Sequence, residues 1–484
     1  MSWDGPLEKI NEYKYRIPKS YKNGMLVDGL IYANEKLLAD IKKDKAPEQV
    51  ANVACLPGIV GYSLAMPDIH WGYGFCIGGV AATDPESGGV ISPGGVGYDI
   101  NCGVRLLSTG LKFDEIKSRL AKIADVLFNE IPSGIGSKGE IRLSQKEEKK
   151  ILIDGAKWAV KHGFGVEEDL IYCEESGAID GADPEVISLR AYERGRPQAG
   201  TLGSGNHFLE VQVIEEIFED KIAKSLNLFK DQITIMIHTG SRGFGYQVCD
   251  DYLRLMNKCI NKYGIYVPDR QLACAPINTP EAREYIGAMY AAANYAWANR
   301  QVLTHLVRET VSKLFGVSWQ SLAITLIYDV AHNIAKFEKH TVGNRQKLLC
   351  IHRKGATRSF GPGNPDLPAK YRAIGQPVII PGDMGRFSYL LVGTKRAEEE
   401  SFASTCHGAG RLKSRHEALR MLDSREIINT LKHKGIEVRS QELKTIAEEA
   451  PFAYKDIDDV INVVEQAGLS KKVCKMRPLC VIKG

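Results

Sequence analysis

The feature that most constrains this chain is a short apolar run ending abruptly in a polar or glycine-rich exit. Ile233-Thr234-Ile235-Met236-Ile237 runs into His238-Thr239-Gly240-Ser241-Arg242-Gly243. Ala323-Ile324-Thr325-Leu326-Ile327-Tyr328 runs into Asp329-Val330-Ala331-His332-Asn333. Leu348 to Ile351 leads to His352-Arg353-Lys354-Gly355, and Val378-Ile379-Ile380 to Pro381-Gly382-Asp383-Met384-Gly385. Short β-branched runs closed by Gly, Pro or charged residues read as buried strands. Strand ends are a rigid platform, so loops leaving them can aim side chains at one cleft. The pattern predicts a sheet-based core with its chemistry gathered at strand ends.

The rest of the chain is read around those strands. Residues 53–105 are dense in Gly and Pro, which predicts short strands joined by tight turns. Helices are expected over 34–43 and over 113–131, the second capped by Asp114 with Ile116, Leu120, Ile123 and Leu127 on one face. A long helix starts after Thr279, with Pro280 at its first position, and runs to about Leu314. Helical segments are expected over 413–439, broken near Gly435, then a helix over 454–466 with Gly468 past its end and a last strand over 478–482. Motif-bearing strands are spread over the whole length. The expectation is therefore one large interleaved α+β domain over 1–484, with mixed sheets and strand-exit loops forming a single cleft.

Composition narrows the function classes. Hydrophobic residues make up 44% of the 484 and charged residues 25%, enough for a large core. The net charge of +4 permits nucleic-acid binding without indicating it. There are 11 cysteines and no C-x-x-C pair, Met1 to Ser20 is polar, and no apolar run has membrane-spanning length. Reduced thiols in a cytoplasmic protein are the expectation.

Three constellations carry possible chemistry. Asp99, Cys102, His207, His238 and His332 offer a carboxylate, a thiolate and three imidazoles in glycine-rich or strand-exit settings. Together they suit a metal, with zinc favoured by ligand softness and Mn²⁺ left open by the carboxylate. Gly203-Ser204-Gly205-Asn206, Pro381 to Gly385, and Gly408-Ala409-Gly410 are backbone-donor loops able to hold phosphate oxygens, two of them beside His207 and His407. Arg194, Arg196, Arg242, Arg353, Lys354, Arg358, Arg411, Lys413 and Arg415 sit in or beside these loops and suit a polyanion. Within Thr405-Cys406-His407-Gly408-Ala409-Gly410-Arg411 the histidine can be base, ligand or nucleophile. Asp68 and His70 form a further polar pair whose role the residues do not reveal. Unaided, these features imply a metal-dependent enzyme acting on a phosphate-rich substrate and leave hydrolysis and ligation both open.

The motifs Pro67-Asp68-Ile69-His70, Asp99 to Arg105, Gly205-Asn206-His207, His238 to Gly243 and Thr405 to Arg411 resemble those of the RtcB family of RNA ligases, nearly end to end. The resemblance implies GTP and two Mn²⁺ ions as cofactors, one ion on Cys102, His207 and His238, the other on Asp99, Cys102 and His332. It implies GTP contacts from Asn206, His207, Phe208, Leu209, Glu210, His332, Asn333, Pro381, Gly382, Asp383, Met384, Ser388, His407, Gly408, Ala409, Gly410, Tyr454 and Lys483. His407 would be the nucleophile that carries GMP, and Arg194, Arg242, Arg411 and Arg415 would bind RNA. The reaction implied joins an RNA 3′-phosphate or 2′,3′-cyclic phosphate to a 5′-hydroxyl, as in tRNA splicing and RNA repair, with archease as a possible activating partner. The alternative is a metal-dependent RNA cyclic phosphodiesterase that does not ligate. Asp383 and Arg386 depart from the resemblance, standing where small hydroxyl residues are expected.

Overall fold

Two large sheets take up the apolar runs in a computed structural model that describes residues 2–484. The first sheet has the order Glu8–Asn11, Lys14–Ile17, Gly29–Tyr32, Ile59–His70, Ile77–Thr83, Arg345–Lys354, Asn333–Val342. Its pairs are antiparallel except Gly29–Tyr32 against Ile59–His70. The second runs Thr325–Ala331, Gly103–Lys112, Gln232–Thr239, Phe208–Ile217, Ser470–Lys483, Ser388–Gly393, Pro377–Ile380, with Glu437–Ser440 lying parallel to Ser470–Lys483. This is the mixed α+β architecture expected.

Every residue of Gln232–Thr239 is buried, because this strand lies inside the second sheet with both faces covered. One cover is the helix Pro280–Phe315, capped by Thr279 through the amide of Ala282. Its middle is alanine-rich and buried, and it buries bonded polar side chains there: Asn294 to Leu152 and Ile153 carbonyls, Asn299 to Thr201, Arg300 to Asp329. A small antiparallel pair, Ala356–Arg358 with Ser404–Cys406, delivers the chain to His407.

Several expectations need correction. Residues 8–32 form three strands where none was expected. A 21-residue helix, Arg242–Lys262, follows the His238 exit, where no helix was expected. The 113–131 helix is interrupted by a 3-10 turn at Lys117–Arg119; Asp114 pairs with Lys117 there, and Glu115 bonds the Lys112 amide instead. Glu437–Ser440 is a strand, since its edge finds a ladder partner in the C-terminal strand that a helix would lack. That C-terminal strand starts at Ser470, and the helix before it is Ile457–Gln466, capped by Asp456, so Tyr454 lies in the preceding turn.

Candidate active site

Strand register assembles the ligand set. Gly103 pairs with Thr239 and with Ala331, and Phe208 pairs with His238. Cys102, His207, His238 and His332 therefore stand at the same end of four adjacent strands, with Lys483 opposite Phe208 on a fifth. Cys102 Sγ lies 3.4 Å from His207 Nε2 and 3.3 Å from His238 Nε2; His238 Nε2 lies 3.3 Å from His332 Nε2. Asp99 Oδ2 is 2.7 Å from His207 Nε2. The donor atoms fall into two groups, Cys102–His238–His332 and Asp99–Cys102–His207. Cys102 belongs to both, while the histidines divide differently from the expected ligand sets.

The residues fit a metal. His238 and His332 keep buried Nδ1 atoms without partners, so nothing in the protein fixes these rings as hydrogen-bonding groups. Burial lowers both imidazoles well below the ordinary histidine value, keeping them neutral as ligands must be. Burial pushes the Asp99 carboxyl up, but His207 and Arg242 more than offset it and bring it to about 2. Arg242 Nη1 also reaches Nδ1 of His207 at 2.8 Å.

His407 is held across the cleft by the first sheet. Its Nδ1 lies 2.6 Å from Asp68 Oδ2, and the same oxygen accepts the His407 amide at 2.9 Å and the Gly408 amide at 3.3 Å. Asp68 is buried; burial alone would raise its carboxyl, and the His407 contacts bring it below its usual range. Lys455 Nζ binds the carbonyls of Pro67 and Ile69, bracing both neighbours of Asp68. Gly410 has φ +74°, and a Cβ there would run into the Asp68 backbone, so the turn requires glycine. With Nδ1 engaged, Nε2 is the free nitrogen of His407. Its ring centroid is 4.9 Å from that of His332.

A cavity of about 350 Å³ joins these parts. On one wall the Tyr454 hydroxyl donates to Glu449, and the Arg411 guanidinium lies 5.0 Å over the Tyr454 ring. Arg411 and Arg415 each reach Glu449 Oε1 at 3.2 Å. Gly382 donates its amide to Ser388 Oγ at 3.2 Å. Asp383 and Arg386 are ion-paired at 2.9 Å, and Arg386 also donates to the carbonyls of Pro451, Tyr454 and Lys455. The two departures are thus one coupled pair, clamping the Pro-Gly loop to the Tyr454 turn.

A family model described as "tRNA-splicing ligase RtcB" matches residues 49–484. Among curated proteins, the tRNA-splicing ligase RtcB of Archaeoglobus fulgidus is 54% identical over 484 residues, covering all of both chains. That of Thermococcus kodakarensis is 51% identical over 479 residues, 99% of each chain. That of Methanococcus maripaludis is 53% identical over 476 residues, 98% of this chain and 99% of the relative. The chain belongs to the RtcB family.

Within this member of the family, most residues named from the sequence come together. Asp99, Cys102, Asn206, Phe208, Glu210, His238, His332, Asn333, Pro381 to Met384, His407 to Arg411, Arg415, Tyr454 and Lys483 all line the cavity. Leu209 does not: strand alternation turns it into an apolar cluster with Leu107 and Ile237. Arg194 stands outside the lining, its guanidinium 4.8 Å over the exposed Tyr246 ring. Sequence reasoning missed Glu449, which is buried and joins three cavity side chains, and it left Asp68 without a role. No local signal marks Glu449: Arg411 and Arg415 lie 38 and 34 residues away in the chain.

Proposed function

We propose that this chain is an RNA ligase of tRNA splicing that uses GTP and two Mn²⁺ ions to join an RNA 3′-phosphate or 2′,3′-cyclic phosphate to a 5′-hydroxyl. The observation that carries the reading is His407. Its imidazole is anchored at Nδ1 by a buried carboxylate, with Nε2 free, on a cavity also lined by Asp99, Cys102, His238 and His332, with His207 just behind against Asp99 and Cys102. A carboxylate anchor would suit a ligand as well as a nucleophile; the nucleophile is favoured because both ligand groups form without His407.

In this mechanism His407 Nε2 attacks the α-phosphorus of GTP. A P–N bond forms, pyrophosphate leaves, and Asp68 stabilises the positive imidazole through the Nδ1 proton. Bound on Asp99, Cys102, His207, His238 and His332, the ions would neutralise phosphate oxygens and the departing pyrophosphate. Backbone amides of the glycine loops share that load. Tyr454, Lys483 and the Pro381 to Met384 loop would hold the nucleotide, with Glu449 keeping the tyrosine in place. A 2′,3′-cyclic phosphate is first opened by water to a 3′-phosphate; GMP then passes from His407 to the RNA 3′-phosphate, and the 5′-hydroxyl attacks that activated end and expels GMP. Arg194, Arg242, Arg411 and Arg415 would meet RNA phosphates. A cytoplasmic location and an archease activator belong to the same proposal.

The test is incubation with α-labelled GTP and Mn²⁺. Acid-labile label should remain on the wild-type protein and be absent from His407→Ala. Equal labelling of the variant would overturn the nucleophile assignment, and a wild type that opens cyclic phosphates without taking label would replace the ligase by a phosphodiesterase.

A further inference from the structure

Beside the cavity a line of aromatic rings runs from its lining to solvent. Tyr73 and Tyr98 both line the cavity and meet edge to face, with centroids 5.6 Å apart. Tyr98 then stacks on Tyr246 at 4.8 Å with an interplanar angle of 26°. The Arg194 guanidinium stands 4.8 Å over Tyr246. The rings come from separate segments: the loop after Ile59–His70, the residue before Asp99, and the first turns of the helix Arg242–Lys262.

Packing alone does not account for this arrangement. Tyr246 is 46% exposed although both Tyr98 and Arg194 lie against it. Tyr73 and Tyr98 are only half-buried. Among the described residues, none of the three phenol hydroxyls has a hydrogen-bond partner. By contrast Tyr295, which serves the core, is covered and partnered through the Gly195 carbonyl. Stacked rings that stay open to solvent, with a guanidinium among them, match the way proteins receive unpaired nucleobases. The open end of the line carries positive charge: Arg194 packs beside Gly243, next to Arg242.

We propose that Tyr98 and Tyr246, flanked by Tyr73 and Arg194, form a stacking subsite for an unpaired base of an RNA end whose terminal phosphate enters the cavity. The inference rests on the ligase reading and adds to it a sequence-tolerant contact that holds a single-stranded end. Phosphate-binding arginines alone would not distinguish a base from an abasic position.

Equilibrium binding of a short oligoadenylate ending in a 3′-phosphate, and of the same strand with a single abasic position moved along its last few nucleotides, tests the subsite. A 5′-hydroxyl strand is treated in the same way. For wild type, removing the base at one of these positions should weaken binding about tenfold on at least one of the two strands. Tyr246→Ala should bind intact and abasic strands alike, at the weaker level. Tyr246→Phe and Tyr98→Phe should keep the discrimination, and Tyr266→Ala, an exposed tyrosine elsewhere, should keep it fully. Wild type binding abasic and intact strands equally at every position would overturn the subsite, as would discrimination surviving in Tyr246→Ala. Labelling of wild-type His407 by GTP without RNA reports separately on the ligase reading, so the two can fail independently.

Discussion

At the scale of single residues, Asp68 decides what His407 can do. Three donors of the His407–Gly408 turn converge on one of its oxygens, so it sets both the position of the ring and which nitrogen is free. Asp68→Asn keeps the shape but can present an N–H to Nδ1 and favour the wrong tautomer. It should slow labelling of His407 by about 10²-fold while Mn²⁺ binding is retained, measured by single-turnover labelling and by calorimetric titration of the metal. Unchanged labelling would show that the ring needs no orientation. Glu210 makes a different prediction. Burial pushes its carboxyl from 4.5 up to about 8, so the folded protein keeps a proton that the unfolded chain releases. The group's contribution to stability is then full below pH 4.5 and is lost as pH rises through 8. Glu210→Gln has no proton to lose, so its melting temperature relative to wild type should climb between pH 5 and pH 8 by on the order of a few degrees. A flat difference across that range would place Glu210 in contact with water. Neither role was legible in the sequence: the partner of Asp68 lies 339 residues away, and nothing local marks it.

At the scale of elements, the site depends on strand ends being held level, and one buried guanidinium does much of this. Arg300, on the helix Pro280–Phe315, donates to the carbonyls of Asn101 at 2.8 Å and Thr239 at 3.0 Å, and pairs with both oxygens of Asp329. Those residues lie immediately before Cys102, immediately after His238 and three before His332. Asn101 itself sits at φ +55°, a conformation asparagine tolerates and this contact helps maintain. Arg300→Met should cost about 3 kcal/mol in denaturant unfolding, because buried Asp329 is left with Arg105 alone and the Asn101 and Thr239 carbonyls lose this donor. It should also weaken Mn²⁺ binding more than a distant substitution of equal stability cost; metal affinity equal to that of such a control would reduce Arg300 to a packing role. Gln232–Thr239 and Thr325–Ala331 were readable as continuous apolar runs; Gly103–Lys112 and Phe208–Ile217 were not, because Arg105, Ser108, Glu210 and Gln212 interrupt theirs. The helix Arg242–Lys262 was not, because Gly243 and Gly245 open it with weak helix formers where the chain turns tightly past Asp99 and Ser241. The first three strands were missed because Glu8–Asn11 is exposed and charged, so its pairing leaves no hydrophobic alternation to read.

At the scale of the whole molecule, the two sheets cannot be assigned separate tasks. His332 occupies the single residue between Thr325–Ala331 of one sheet and Asn333–Val342 of the other. His407 is positioned by Asp68 of the first sheet and faces ligands from the second. Lys483, next to the end of the chain, reaches the Gly205 carbonyl at 2.9 Å. Elements that share a site in this way lose their buried charges' partners if they part, so opening one sheet exposes costs in both. We therefore propose that residues 1–484 act as one cooperative unit, and calorimetry tests it. Unfolding should show one transition with equal calorimetric and van't Hoff enthalpies. Mn²⁺ at about 100 times its dissociation constant should raise the stability of the whole transition by about 2.7 kcal/mol. Two transitions, of which the metal moves only one, would mean that the second sheet folds and binds without the first. His407, anchored on the first sheet, would then meet its metal centre only by docking of one unit on another.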